Sequence, residues 1–236
     1  MRMQIGNNLN KCNFGAKPIF NINLRKAGDT GYSSVPARFS ELSPYDETDC
    51  TAVNNLTRDW RDYIWSNNFI YNIASTFHSQ SPKYKLYATE TDAIGNGTLA
   101  SKIASVIQTT NPQSKDKDIF EIVCIQSSPD IADRQTPVIK GSGELAMYGA
   151  VKLADKEGFD RVEARSFNHG FYEKIGFHRV DYFNTENYFK SATTYYVLPK
   201  ESYNKFLNAV EKKYNLKPDE VDNILIKENN KKACAD

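Results

Sequence analysis

The chain has almost no excess of charge of either sign: 30 lysines and arginines stand against 29 aspartates and glutamates, a formal net charge of +1. This balance excludes the global field that draws a protein to nucleic acid or to an anionic membrane surface, so partners have to be read from local sites. Long apolar runs are missing too. No stretch approaches the roughly 20 residues of a membrane-crossing helix, and no cationic-then-apolar leader opens the sequence. The expectation is a soluble, cytoplasmic chain with neither nucleic-acid nor membrane partners. Cysteine is scarce: Cys12, Cys50, Cys124 and Cys234 lie far apart, in no metal-ligand spacing, which predicts reduced thiols and no metal site. The acceptor sequons at Asn55 and Asn96 are read as chance matches. No internal repeat is found, and 236 residues suit one full domain with extensions better than two equal domains.

What is present falls into an ordered series. Residues 1–35 are rich in Asn, Gly, Lys and Ser with little periodicity, and are read as a flexible polar lead-in, a plain terminus or a delivery signal. Residues 43–46 carry a helix start, in which Ser43 caps, Pro44 suits the first helical position and Asp46 closes a capping box. Val53, Leu56 and Trp60, then Ile70, Ile73, Ala74 and Phe77, recur at helical spacing and predict two helices, or one bent helix, ending before Ser81 and Pro82. Residues 83–90 and 99–109 read as the strands of a hairpin turning at Asn96 and Gly97.

Residues 119–127 (IFEIVCIQS) are nearly continuous in apolar and β-branched side chains, the pattern of a central strand buried on both faces. After an irregular excursion with Pro129 and Pro137 comes an apolar helix over 144–157, closed by Gly158, in which Gly149 implies close backbone packing. A strand over 161–166 completes a βαβ unit with a right-handed crossover. Residues 178–183 and 193–198 predict an antiparallel aromatic pair, and amphipathic segments beyond Pro199 predict a C-terminal helical extension over 200–236.

Between the central strand and the helix stands Lys140-Gly141-Ser142-Gly143-Glu144. Two glycines at a helix start let backbone N–H groups approach a phosphate, the helix dipole adds partial positive charge, and Lys140 supplies a charge-assisted contact. A Gly-x-Gly by itself fits a tight turn as well. A dinucleotide-binding fingerprint is set aside, because its third glycine would stand where this chain has Ala146.

With the downstream tract 161–177 (RVEARSFNHGFYEKIGF), the loop resembles the GNAT acetyltransferase superfamily, over residues 83–198 and most specifically over 140–177. The resemblance implies an α/β (α+β) fold, a mixed and mostly antiparallel central sheet flanked by helices, in a domain over 36–199. It implies acetyl-CoA as cosubstrate, held along the splayed strand by Val123, Cys124, Ile125 and Gln126, at the pyrophosphate by Lys140, Gly141, Ser142, Gly143 and Glu144, and at the pantetheine amides by Asn168. It further implies acetyl transfer to an amine of a small molecule or protein, with Tyr172 protonating the leaving thiolate and Glu121 as base.

Taken from the residues alone, Tyr172 is equally a core aromatic and Glu121 equally a solvated strand acid, with Glu90 and Asp118 as other bases and His169 a loop histidine. Direct transfer is favoured, since no cysteine or serine stands in a nucleophile setting. The sequence departs from the family at Val138, where Arg or Gln is usual and Arg134 or Gln135 would substitute, and at Arg165, where Asn or Ser is usual. Two alternatives therefore stay open: a GNAT-like module that binds without turnover, and a delivered effector that acetylates a macromolecule. A homodimer is compatible with the sequence.

Overall fold

The computed structural model describes residues 16–28, 31–60, 66–94, 98–113, 117–132, 138–166, 168–180 and 194–217. The chain opens with a hairpin of β1 (Lys17–Gly28) and β2 (Gly31–Leu42), followed by α1 (Glu47–Asp59) and α2 (Ser66–His78). Next come β3 (Tyr84–Glu90), a single turn α3 (Leu99–Lys102), β4 (Ile103–Thr110), β5 (Ile119–Ser127) and a short α4 (Pro129–Ala132). Then follow β6 (Ile139–Lys140), α5 (Ser142–Glu157), β7 (Arg161–Ser166), α6 (His169–Lys174), β8 (His178–Val180), β9 (Thr194–Pro199) and α7 (Tyr203–Tyr214). The strands form one nine-stranded sheet in the order β6-β1-β2-β3-β4-β5-β7-β9-β8. Its described pairings are antiparallel except for β5 with β7, the pair joined across α5. This is the mixed, mostly antiparallel sheet flanked by helices that the resemblance implies.

Each sheet face buries its own apolar set. On one face Phe20, Ile22, Leu24, Phe39, Phe120 and Ile122 pack against Leu145, Tyr148 and Val151 of α5 and Phe206 and Val210 of α7. On the other, Leu42, Leu86, Ala88 and Val106 pack against Val53 and Leu56 of α1 and Ile70, Ile73 and Phe77 of α2. Each fully buried Leu, Ile or Phe contributes about 1.5–3 kcal/mol relative to exposure, so neither helical layer is an ornament. Gly149 is explained by contact: a Cβ there would stand 2.6 Å from the Phe39 ring, so only glycine lets α5 lie this close to the sheet. No helix among the described residues is long and apolar enough to cross a membrane.

Four expectations are corrected. The lead-in is not loose from Lys17 onward, because Phe20, Ile22 and Leu24 alternate into the core while Asn21, Asn23 and Arg25 face outward. The first helix starts three residues later than its apparent cap: Asp46, not Ser43, is the N-cap, and its carboxylate accepts from the Asp49 amide. Residues 99–102 are a helical turn capped by Thr98, and the strand begins only at Ile103. The strand buried on both faces is β4, buried from Ile103 to Thr109, whereas β5 is half-exposed from Val123 to Ser127. The extension after Pro199 also docks, since Tyr203, Phe206, Leu207, Val210 and Tyr214 join the core beside α5. The turn at Asn96 and Gly97, Arg134, Gln135, residues 184–190, the segment from Pro218, and Cys12 and Cys234 lie outside the described residues.

Candidate active site

The half-exposure of β5 has a local cause. Its parallel ladder with β7 runs only from Ile119 opposite Arg161 to Ile122 opposite Ala164. Past that point residues 124–127 pair with β4 alone, and Arg165 and Ser166 pair with β9 alone. The two strands diverge there, and their facing edges carry backbone groups outside the ladder. A register shift against β4 falls at the same place: Thr109 stands opposite Ile122 and Gln108 opposite Cys124, leaving Val123 as the extra residue. Such a bulge bends a strand and increases its local twist, which turns β5 away from β7.

Tyr172 closes the base of this opening. It is buried at 2 % exposure, stacked on Tyr196 with ring centres 5.0 Å apart, and set edge-on to Phe171 and Phe177. Burial raises its pKa above the ordinary tyrosine value, the neighbouring Cys124 adds to the rise, and a hydrogen bond with Ser166 acts against it. The phenol therefore faces one residue from each diverging strand. Cys124 itself is pushed up to about 12 by burial, with the Gln108 backbone acting the other way, so it rests as a neutral thiol rather than a nucleophile. His169 is exposed, and its Nδ1 lies 2.5 Å from the Tyr196 hydroxyl.

The glycine loop lies at the C-terminal end of β5. Ser127 Oγ and Ser142 Oγ are 3.2 Å apart, and Ser105 Oγ donates to the Ser142 carbonyl at 3.0 Å, so β4, β5 and the start of α5 are tied together. Gly141 is the N-cap at φ +96°, and no side chain caps the helix. The first amides of α5 thus point out of the helix without a capping acceptor, the arrangement that suits an anion.

The two glycines serve different purposes. A Cβ on Gly141 would stand 2.5 Å from the Tyr214 ring, so its bare face belongs to α7, which corrects the expectation that it clears space for a ligand. A Cβ on Gly143 would meet Ser127 Oγ at 3.6 Å and Phe171 at 3.8 Å, ordinary contacts at the mouth of the opening. The Glu144 carboxylate accepts from Lys213 and from the Tyr214 hydroxyl, at 2.5 and 2.7 Å. Burial, then Glu144, raises the pKa of Tyr214.

The remaining residues read from sequence are more dispersed. Val123, Cys124, Ile125 and Gln126 line the free edge of β5, and the Gln126 side chain donates to the Ser127 carbonyl. Lys140 is exposed and directed to Tyr32. Asn168 is exposed just before α6, its amide donating to Ser166 Oγ at 2.9 Å. Glu121 is exposed in the paired half of β5, opposite Glu163 and outside the opening. Glu90 is buried and bonded to Ser40 and Arg38, so it is already engaged. Ser127, Tyr214 and Ser166 were given no role by the sequence. The downstream spacing hints only at Ser166, since Tyr214 lies more than seventy residues from the glycine it covers.

No protein-family model matches the chain. No curated protein matches it in sequence either. Solved structures are similar in fold. The GNAT domain of S. lividans PAT is 12 % identical over 76 % of this chain and 95 % of that one, with a TM-score of 0.49. The Escherichia coli ribosomal-protein-S18-alanine N-acetyltransferase is 18 % identical over 69 % and 93 %, with a TM-score of 0.43. Tetrahymena GCN5 is 15 % identical over 68 % and 96 %, with a TM-score of 0.45. That likeness to acetyltransferase structures is one of fold alone.

Proposed function

We propose that the protein transfers an acetyl group from acetyl-CoA directly to an amine carried by a small molecule or a protein. The observation that carries this reading is the opening beyond the Ile122 and Ala164 pairing, where a bare strand edge, a buried phenol and an uncapped helix start converge. The residues fit the cosubstrate, whose contribution when bound is an acetyl group activated as a thioester. The amides of Ser142, Gly143 and Glu144 hold its diphosphate, with Lys140 alongside. Backbone groups of 123–126 run along the pantetheine arm and donate to the thioester carbonyl, where a fixed dipole in a water-poor cleft is worth more than in bulk water. Asn168 is offered to the amides of the same arm.

Tyr172 donates to the departing sulfur. Its raised pKa keeps the proton in place through the neutral range but makes full transfer to a thiolate uphill, since a thiol ordinarily titrates near 8.5. It works best as a hydrogen-bond donor in step with carbon–sulfur cleavage, its ionised form not accumulating. The amine proton leaves to water, which carries it on to Glu121 outside the opening. The free thiols of Cys50 and Cys124 suit a reducing compartment.

Calorimetric titration with acetyl-CoA, followed by thiol release across an amine panel, tests this reading. Binding with amine-dependent release is expected, and absence of binding overturns it. Tyr172→Phe is expected to lower turnover by about 10²-fold with affinity little changed; unchanged turnover removes Tyr172 from the chemistry. A second reading, binding without turnover, is favoured by Val138 at the family's Arg or Gln position and by the seating of Lys213 and Tyr214 on Glu144. It would give affinity for acetyl-CoA with no thiol released.

A further inference from the structure

Ahead of the glycine loop, two cations are held face to face. β6 is only two residues long, and its pairing with β1 sets Arg25 directly opposite Lys140. Residues opposite one another in an antiparallel pair project from the same sheet face, where like charges repel. Both side chains also converge on one ring: the Arg25 guanidinium lies 4.9 Å and the Lys140 ammonium 5.0 Å from the centre of Tyr32. The Lys140 ammonium donates to the Tyr32 hydroxyl as well. Among the described residues, neither cation lies within ion-pair distance of a carboxylate, whereas nearby Lys213 is paired with Glu144. Stacking on Tyr32 offsets part of the repulsion and orders both side chains in advance.

A dianion placed between these cations would turn the repulsion into attraction. Lys140 precedes Ser142, the first residue of α5, by two positions, a backbone reach of about 7 Å at most. The proposed diphosphate site and this pair of cations are therefore neighbours without being the same site. Each phosphate of a diphosphate bridge carries a single charge, whereas a phosphomonoester carries about −1.5 to −2 near neutrality, the better match for two cations.

We infer that Arg25 and Lys140 form a clamp for the phosphomonoester of coenzyme A, the phosphate on the 3′ position of its ribose. The inference rests on the proposed coenzyme A site at the start of α5. It gives the β1–β2 hairpin a role in ligand recognition, and it makes the chain select coenzyme A over analogues that lack this phosphate.

Calorimetry with acetyl-CoA and with 3′-dephospho-acetyl-CoA decides the matter. The native chain is expected to bind the complete ligand at least about tenfold more tightly, the scale of one or two charge-assisted hydrogen bonds. The double variant Arg25→Gln, Lys140→Gln is expected to bind both ligands alike, its affinity for the complete ligand falling further than its affinity for the dephospho form. Equal native affinities overturn the clamp and leave the coenzyme A reading standing, and so does a double variant that weakens both ligands by the same factor. Failure of the native chain to bind either ligand overturns both. Should the double variant unfold, the two-ligand comparison on the native chain together with Lys140→Gln alone still gives the answer.

Discussion

Two helix starts in this molecule face the same physical problem and solve it in opposite ways. At α1, Asp46 accepts from the Asp49 amide at 3.0 Å, and the Asp49 carboxylate reaches back to accept from the Ser43 amide at 2.8 Å. That end is closed by its own side chains. At α5 the cap position is Gly141, which has no side chain to offer, and the first-turn acid Glu144 is drawn sideways to Lys213 and Tyr214. This end is left open, beside the point where β5 and β7 part. The difference teaches what an uncapped end forgoes: a capped terminus is stabilised by about 1 kcal/mol relative to a bare one, and α5 does without that gain where the proposed ligand would need its amides.

The comparison breaks most severely if the open end is filled. Gly141→Ala forces a Cβ into a left-handed backbone conformation and against the Tyr214 ring 2.5 Å away. We expect a loss of about 2–4 kcal/mol, measured by chemical denaturation, with part of it restored when Tyr214→Ala is added. An unchanged midpoint would mean that α7 does not pin the loop.

The closed end carries a strain of its own. Asp49 is fully buried, one of its carboxylate oxygens has no partner, and burial pushes its pKa up to about 6, with Asp46 and Glu90 adding like-charge repulsion. The folded chain therefore binds this proton more tightly than the unfolded chain does. Its contribution to stability is full below about pH 4 and is lost as pH rises through about 6. Asp49→Asn, which keeps the acceptor for Ser43, is expected to stabilise the protein by about 2 kcal/mol at pH 7 and to gain little at pH 4. Denaturation midpoints at the two pH values check this, and an equal shift at both would place the strain elsewhere.

The contrast also shows why some elements were legible in the sequence and others were not. β5, α5, β7 and α6 follow one another over 119–174, with periodic apolar residues and glycines at the junctions, so local pattern was enough. The β1–β2 hairpin was missed because its inward set, Phe20, Ile22 and Leu24, alternates with polar residues, and because β2 is mostly exposed from Gly31 to Pro36. Continuous apolar character in β5 reads as burial on both faces, yet which strand borders a divergence depends on the bulge at Val123 and on where the β7 ladder stops. At the site, the roles proposed for the strand edge and Tyr172 come from the resemblance and not from local pattern. The seating of Tyr214 on Gly141, and the meeting of Arg25 with Lys140, depend on contacts between distant segments that no local pattern encodes.

Two smaller effects sharpen the contrast. Removing the closed end's cap with Asp46→Ala is expected to cost about 1 kcal/mol and to leave acetyl-CoA affinity alone, since α1 lies on the sheet face away from α5. Gly143→Ala should do the reverse. The added methyl meets Ser127 and Phe171 only at ordinary distances, and alanine is the better helix former, so stability should hold or rise by up to about 1 kcal/mol. Yet that methyl would stand at the mouth between the end of β5 and α6, where the proposed ligand backbone has to pass close to the helix amides. Affinity for acetyl-CoA should fall while the thermal midpoint does not. If both stay the same, the ligand does not approach α5 along this line, and the open terminus would have to be explained by the packing of α7 alone.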